Sequence, residues 1–348
     1  MKKLFFSLLA VAAMASCSKS ELANRPNIDR DNVEIMASSV AKSITRTPYE
    51  GNIATDNELT ARVLVSETAG DYSTLLNTDY KMVFSDVASN ANSQVGFATT
   101  PCFFPADGGK VYLSGFHPYD GWTEIVTNGP NYFFAIDGKS DLMAAAEQAT
   151  DKAEALAGTY PTLTFKHLLT KLVIKVQAED DNAITSWGKI TDMYLTKAAS
   201  SAIRAWAQVK KSEDTATFRA DNDGNNLDKL ACYSYDENNK PTDTEFSAIA
   251  LTVPDTEAGE VAPAVAYSMI HPVTATEKHY TLVVKTEKHT EEYPIDLTLY
   301  KKGSTDVFTD PTTGYAFEIS LTFKAKAIQA KATVTPWAEG GNTNVDIE

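Results

Sequence analysis

Apolar and polar positions alternate along this chain in short runs bounded by turn residues. Residues 59–65 (Leu-Thr-Ala-Arg-Val-Leu-Val) read as a strand, and 81–84 as another. Pro105, Asp107, Gly108 and Gly109 form a turn signal that feeds a strand over 110–116, and 131–136 follows. The Ala-rich stretch 141–157 suits a short helix or an ordered loop. A second block opens at 163–167, and 171–176 is a clear strand. Further strands are expected over 190–196, 202–209, 215–218, 246–253 and 265–270. Residues 279–285 and 292–299 are two apolar runs joined by the charged stretch 286–291, as in a hairpin. Residues 317–323 and 332–335 close the series with clean alternation.

Many short strands separated by turns predict an all-β protein of β-sandwich architecture, taken twice. Gly158 and Pro161 mark a boundary near residue 160, so the expected N-terminal sandwich spans 47–159 and the C-terminal one 160–348. No short-period repeat of the solenoid type is present.

The beginning of the chain reads as an address. Lys2 and Lys3 precede an apolar run over 4–13, too short to cross a bilayer, and Ala15 and Ser16 lead into Cys17. A cysteine directly after such a cut resembles the bacterial lipoprotein signal, with 1–16 removed and Cys17 lipidated. Residues 17–46 are polar apart from Val33, Ile35 and Val40, and read as a linker or pro-segment. They contain Arg25, Arg30 and Arg46, all candidate sites for a trypsin-like protease.

Composition narrows the function classes. The 348 residues carry 31 basic and 46 acidic side chains, a net charge of −15, which argues against a nucleic-acid partner. Loss of Lys2 and Lys3 with the signal takes the charge from −15 to −17. A mean hydropathy of −0.24 and no long apolar run after the signal exclude a multi-span membrane protein. After Cys17 only Cys102 and Cys232 remain, and both are expected to be buried small hydrophobes rather than a disulfide framework.

Motifs for chemistry are scarce. His117, His167, His271, His279 and His289 show no metal-binding spacing, and no Gly-x-Ser-x-Gly elbow or phosphate-cradling glycine loop occurs. Asp221, Asp223 and Gly224 resemble the start of a calcium loop, but Leu230 stands where the bidentate carboxylate belongs, so a solvated turn is expected. The aromatic segment 116–122, ending in Trp122, could stack on a sugar; core packing is the expected role. No catalytic residue, metal or cofactor is expected.

Several strings then match a known family. Residues 103–109 (Phe-Phe-Pro-Ala-Asp-Gly-Gly) and 111–119 (Val-Tyr-Leu-Ser-Gly-Phe-His-Pro-Tyr) resemble the N-terminal domain of fimbrillin-like proteins. Asp141-Leu142-Met143 resembles the short motif that follows there, and 163–172 is similar to that family's Phe-x-His-x-Leu strand. Residues 334–341 (Val-Thr-Pro-Trp-Ala-Glu-Gly-Gly) resemble its C-terminal ending.

The resemblance implies two transthyretin-like Greek-key β-sandwich domains in a subunit of surface fimbriae of Gram-negative bacteria. It implies export as an outer-membrane lipoprotein, with trypsin-like removal of an N-terminal strand. A donor strand from another fimbrial subunit then fills the groove by β-augmentation. On this reading Arg46 is the candidate cut and Thr47 the new N-terminus, with Pro48 one place further on. Arg25, disfavoured by Pro26, and Arg30 are the alternatives. The displaced strand draws on Val33, Ile35, Val40 and Ile44. Candidate donors are the tail over 343–348, with Val345 and Ile347, and the stretch 327–334, ending in Val334. The modest apolar content of the tail leaves open a shaft subunit or a tip or accessory one. A surface lipoprotein that binds a glycan or host protein without polymerising is the alternative.

Overall fold

The structure, a computed structural model, describes residues 32–41, 58–84, 94–125, 130–197, 202–237, 240–254, 262–273, 280–289, 291–297 and 313–335, without the side chains of 40, 41 and 329–335. Its first half contains β1 Ser38–Ala41, β2 Leu59–Ser66, β3 Lys81–Phe84, β4 Val111–His117, β5 Thr123–Glu124, β6 Asn131–Ala135, β7 Met143–Thr150, helix α1 Lys152–Leu156, β8 Thr162–His167 and β9 Thr170–Ala178. Next come α2 Asp181–Trp187, β10 Ile190–Lys197, β11 Trp206–Lys210, β12 Ala216–Arg219, β13 Lys229–Ala231 and β14 Tyr233–Tyr235. The last strands are β15 Pro241–Glu245, β16 Ala264–Ile270, β17 Tyr280–Thr286, β18 Tyr293–Asp296, β19 Ala316–Lys324 and β20 Ala327–Thr335. The protein is all-β, as expected, with its sheets in a sandwich-like arrangement.

One six-stranded sheet has the order β1-β8-β7-β4-β2-β3. Both its faces are buried. Val63, Leu113, Leu163 and Phe165 enter a first core, while Leu64, Phe116 and Ala144 enter a second, larger one. Successive strand residues point to opposite faces, so a strand covered on both sides reads as an unbroken apolar run, as Val63-Leu64-Val65 does. Gly115 lies between these layers. A Cβ there would stand 2.7 Å from Phe165 Cζ, so only glycine lets that ring fill the first core.

A second six-stranded sheet has the order β15-β14-β16-β9-β19-β20. In it β9 and β19 run parallel, with Leu172, Ile174 and Val176 beside Phe317, Ile319 and Leu321. These residues share the larger core with Leu195, Leu282 and Val284 from the four-stranded sheet β13-β10-β17-β18. The remaining sheet, β12-β11-β6-β5, draws strands from both sides of residue 160. So does the first sheet, because β8 pairs with β7.

Local sequence accounts for the two helices. Asp151 accepts from the Glu154 N–H at 2.9 Å while Glu154 accepts from the Asp151 N–H at 3.2 Å, a capping box that starts α1. Asp180 caps α2 through the Ala183 N–H at 2.8 Å, and Gly188 ends it at φ 70°. The Ala-rich stretch is mostly strand β7 rather than helix or loop, and α1 occupies only its last turn. The strand expected over 246–253 is corrected as well. There Leu251 is buried and Ile249 makes a single bridge to Ile190, so packing rather than a ladder holds these apolar side chains. The ladder lies just before them, in the polar edge strand β15.

Candidate functional site

The ribbon over 33–41 lies against the first core. Its first half bridges backward to a loop: the Ile35 N–H donates to the Cys102 carbonyl at 2.7 Å, and the Phe104 N–H donates to the Val33 carbonyl at 3.0 Å. Ala37 exchanges both backbone bonds with Val95, at 3.0 and 2.9 Å. The chain then swings across to the sheet edge, where the Ser38 N–H donates to the Pro161 carbonyl at 3.0 Å and β1 runs parallel to β8. The ribbon thereby joins the 95–104 segment to β8, two pieces of backbone that would otherwise each present unpaired groups.

Side chains make the same join. Ile35 and Ala37 are fully buried in the first core, among Phe97, Cys102, Phe104, Leu163 and Phe165. Ser38 sits beside Thr162, with their hydroxyl oxygens 2.9 Å apart. Removing the ribbon would leave an open apolar slot floored by those rings, bordered on each side by backbone donors and acceptors.

Of the residues predicted for this site, Val33 is half-buried and Ile35 fully buried, while Val40 lies in β1 opposite Thr164. Val334 lies in β20 opposite Phe317. Cys17, Ile44, Arg46, Thr47, Val345 and Ile347 fall outside the described residues.

The other candidate chemistry resolves into structure. Trp122 is buried, packed on Phe116, Tyr132 and Phe134, with its indole N–H donating to the Pro118 carbonyl at 2.8 Å. It offers no ring to a sugar. Asp221 turns its carboxylate onto the N–H groups of Asp223 at 2.9 Å and Asn225 at 2.7 Å, closing a turn on Gly224 at φ 82°. Cys102 and Cys232 are free and buried, and burial pushes the Cys102 thiol up to about 11. No cluster of three metal-ligating side chains occurs among the described residues.

Sequence reasoning missed one buried polar pair. His167 Nδ1 lies 2.9 Å from Asp141 Oδ1, and both side chains are almost fully enclosed. Only half of the signal was there: His167 precedes the apolar pair Leu168-Leu169, whereas Asp141 follows Asp137, Lys139 and Ser140 and looks like one more polar loop residue. Neighbouring His117, at the end of β4, has Nδ1 2.8 Å from the Thr60 carbonyl.

Two histidines predict an acid-labile fold. Burial first, and then nearby Arg204, pushes His271 down to about 4; burial also lowers His117, outweighing the opposite pull of Asp141. The unfolded chain takes up these protons as pH falls through about 6.5, and the folded chain resists until lower pH. Folded values that are depressed contribute stability above the unfolded value and lose it below. The urea midpoint should therefore fall steadily from about pH 7 to about pH 4.5, and His271→Gln should flatten the slope. A pH-independent midpoint over that window would refute the assignment.

Comparison with known proteins then places the chain. A model of the fimbrillin-like family matches residues 45–337. This protein belongs to the fimbrillin-like family. Membership supports a fimbrial role at the cell surface. No curated protein matches. Among solved structures, a protein of Bacteroides uniformis assigned to cell adhesion is similar with TM-score 0.51 and 15% identity, over 88% of this chain and all of that one. Another from Bacteroides ovatus is similar with TM-score 0.51 and 14% identity, over 91% of this chain and 99% of that one. At such identities the likeness to this fimbrillin-like chain is one of fold.

Proposed function

We propose that this fimbrillin-like protein is a structural subunit of surface fimbriae that polymerises by protease-triggered donor-strand exchange. The observation that carries the reading is the ribbon. It completes the first core with Ile35 and Ala37 and ends at Ala41, five residues before Arg46. The family match begins at residue 45, so the ribbon precedes it.

In this reading Cys17 carries a lipid that holds the precursor in the outer membrane, and a trypsin-like enzyme cuts between Arg46 and Thr47. The ribbon is then held only by its own hydrogen bonds and side chains. A strand of another subunit can take its place, restoring the same backbone bonds. Until the cut the chain blocks its own slot, which confines assembly to the surface. Cleavage removes five basic and four acidic residues from the lipoprotein, taking the net charge from −17 to −18. The resulting polymer supports adhesion to a host protein or glycan.

N-terminal sequencing of protein sheared from cells should read Thr-Pro-Tyr-Glu, the sequence starting at Thr47. Arg46→Ala should leave the precursor uncut and abolish the ladder of oligomers that trypsin-like digestion otherwise produces. Processing at another residue would move the site, and a cleaved protein that stays monomeric would count against a shaft subunit.

A further inference from the structure

The ribbon has a flaw at one seat. Its residues facing the first core fall at every second place, and Ser39 follows Ile35 and Ala37 in that series. Ser39 stands opposite Leu163, a member of that core, and is fully buried. Its hydroxyl has no hydrogen-bond partner among the described residues. A buried hydroxyl left unpaired opposes docking, whereas a methyl group in the same place does not. The adjacent Ser38 has no such fault, because Thr162 meets its hydroxyl.

Strand β20 repeats the ribbon's spacing without the flaw. Ile328, Ala330, Ala332 and Val334 match the intervals of Ile35, Ala37, Ser39 and Ala41, with Gln329, Lys331 and Thr333 between them. β20 is the outermost strand of its sheet. Within its own chain those four positions pair with Phe323, Leu321, Ile319 and Phe317, all fully buried. Its backbone is already paired with a row of large apolar residues.

We propose that the Ser39 seat is the selectivity element of the slot. It weakens the resident ribbon and favours β20 of a second copy, which brings Ala332 to the Ser39 seat and Ile328 to the Ile35 seat. The proposal rests on the exchange reading above. After cleavage, docking β20 in the slot trades its ladder with β19 for another ladder. Backbone terms then largely offset each other, and at the enclosed seat the ribbon and β20 differ by a hydroxyl against a methyl group. The 343–348 tail is the competing donor; it is shorter, with two apolar residues in six.

The test uses the exported chain from Cys17 onward, cut after Arg46, with release of the ribbon fragment followed by mass spectrometry. Three synthetic peptides serve as probes: residues 327–335, the same peptide with Ala332→Ser, and residues 343–348. The first should displace the ribbon, the serine variant should do so about tenfold less well, and the tail peptide should not. In the chain itself, Ser39→Ala should slow displacement about tenfold. Equal potency of the alanine and serine peptides, displacement by the tail peptide, or an unchanged rate with Ser39→Ala would each overturn the proposal. If no peptide acts while the cut protein still forms oligomers, exchange stands and this assignment of donor fails. If neither displacement nor oligomers occur, both fail.

Discussion

Replacing Ile35 by alanine is expected to destabilise the uncut protein by about 3 kcal/mol, the usual cost of truncating a fully enclosed branched side chain. Ile35 has no exposed surface and packs in the cluster that contains Phe97, Phe104 and Phe165. Those rings are anchored from separate parts of the chain and cannot close over the vacated space without breaking the bonds to Cys102 and Val95. Ile35→Asp should go further and undock the ribbon, because a carboxylate in that slot has no counter-charge. Val33→Ala is the control. Val33 is only half-buried, so its truncation should shift the urea midpoint far less. The functional consequence has the same sign. After cleavage at Arg46 the Ile35→Ala ribbon should leave sooner, and oligomers should form earlier than in the parent. An Ile35→Ala protein with the parent's midpoint would mean that the ribbon contributes nothing to the core, and the displacement reading would lose its physical basis.

The ribbon's role was only half legible from the chain. Val33, Ile35 and Val40 stood out as apolar residues in a polar stretch, but alternation alone cannot say that a segment first bridges Val95 and Cys102 and then turns to run parallel to β8. That placement depends on contacts more than 50 residues away in sequence. Strands covered on one face were the easiest to read. In β19, Phe317, Ile319, Leu321 and Phe323 are buried and Glu318, Ser320 and Thr322 are not, as the alternation predicted. The hairpin of β17 and β18 also forms where the two apolar runs placed it. Harder to read was the stretch over 141–157, because alanine suits a strand between two packed layers as well as a helix. Only the capping pair Asp151 and Glu154 distinguishes its final turn. The polar edge strand β15 carries no periodic signal at all, since its ladder bonds are made by backbone. Sheet membership across residue 160 was beyond sequence reasoning for the same reason: β8 follows Pro161 directly, yet its partner is β7, and that choice lies in pairing rather than in composition.

Breaking the enclosed pair of Asp141 and His167 should have an effect as large as the loss of Ile35. Asp141 Oδ1 and His167 Nδ1 are 2.9 Å apart, and Asp141 Oδ2 has no partner among the described residues. With so little water within reach, the carboxylate depends on this one bond. His167→Ala therefore strands a buried acid, and Asp141→Ala takes from the buried imidazole its carboxylate partner. Each is expected to cost about 3 kcal/mol. The double replacement strands neither group, so its cost should fall well short of the sum, with a coupling of about 1–3 kcal/mol in a double-mutant cycle read by urea unfolding. Strictly additive losses would show that the two side chains are neighbours without being partners. The pair also bears on the slot. His167 ends β8, the strand whose Leu163 and Phe165 face the ribbon and whose Thr162 meets Ser38. The Leu168 N–H donates to the Leu142 carbonyl at 2.8 Å beside the pair, so Asp141 and His167 hold the end of β8 against the residues that lead into β7. Loosening that anchor lets β8 shift along β7, and a shifted β8 presents its ladder to β1 out of register. Asp141→Ala should thus speed ribbon release after cleavage even though it touches no ribbon residue. A variant destabilised to the same extent in the second six-stranded sheet, such as Ile319→Ala, should not.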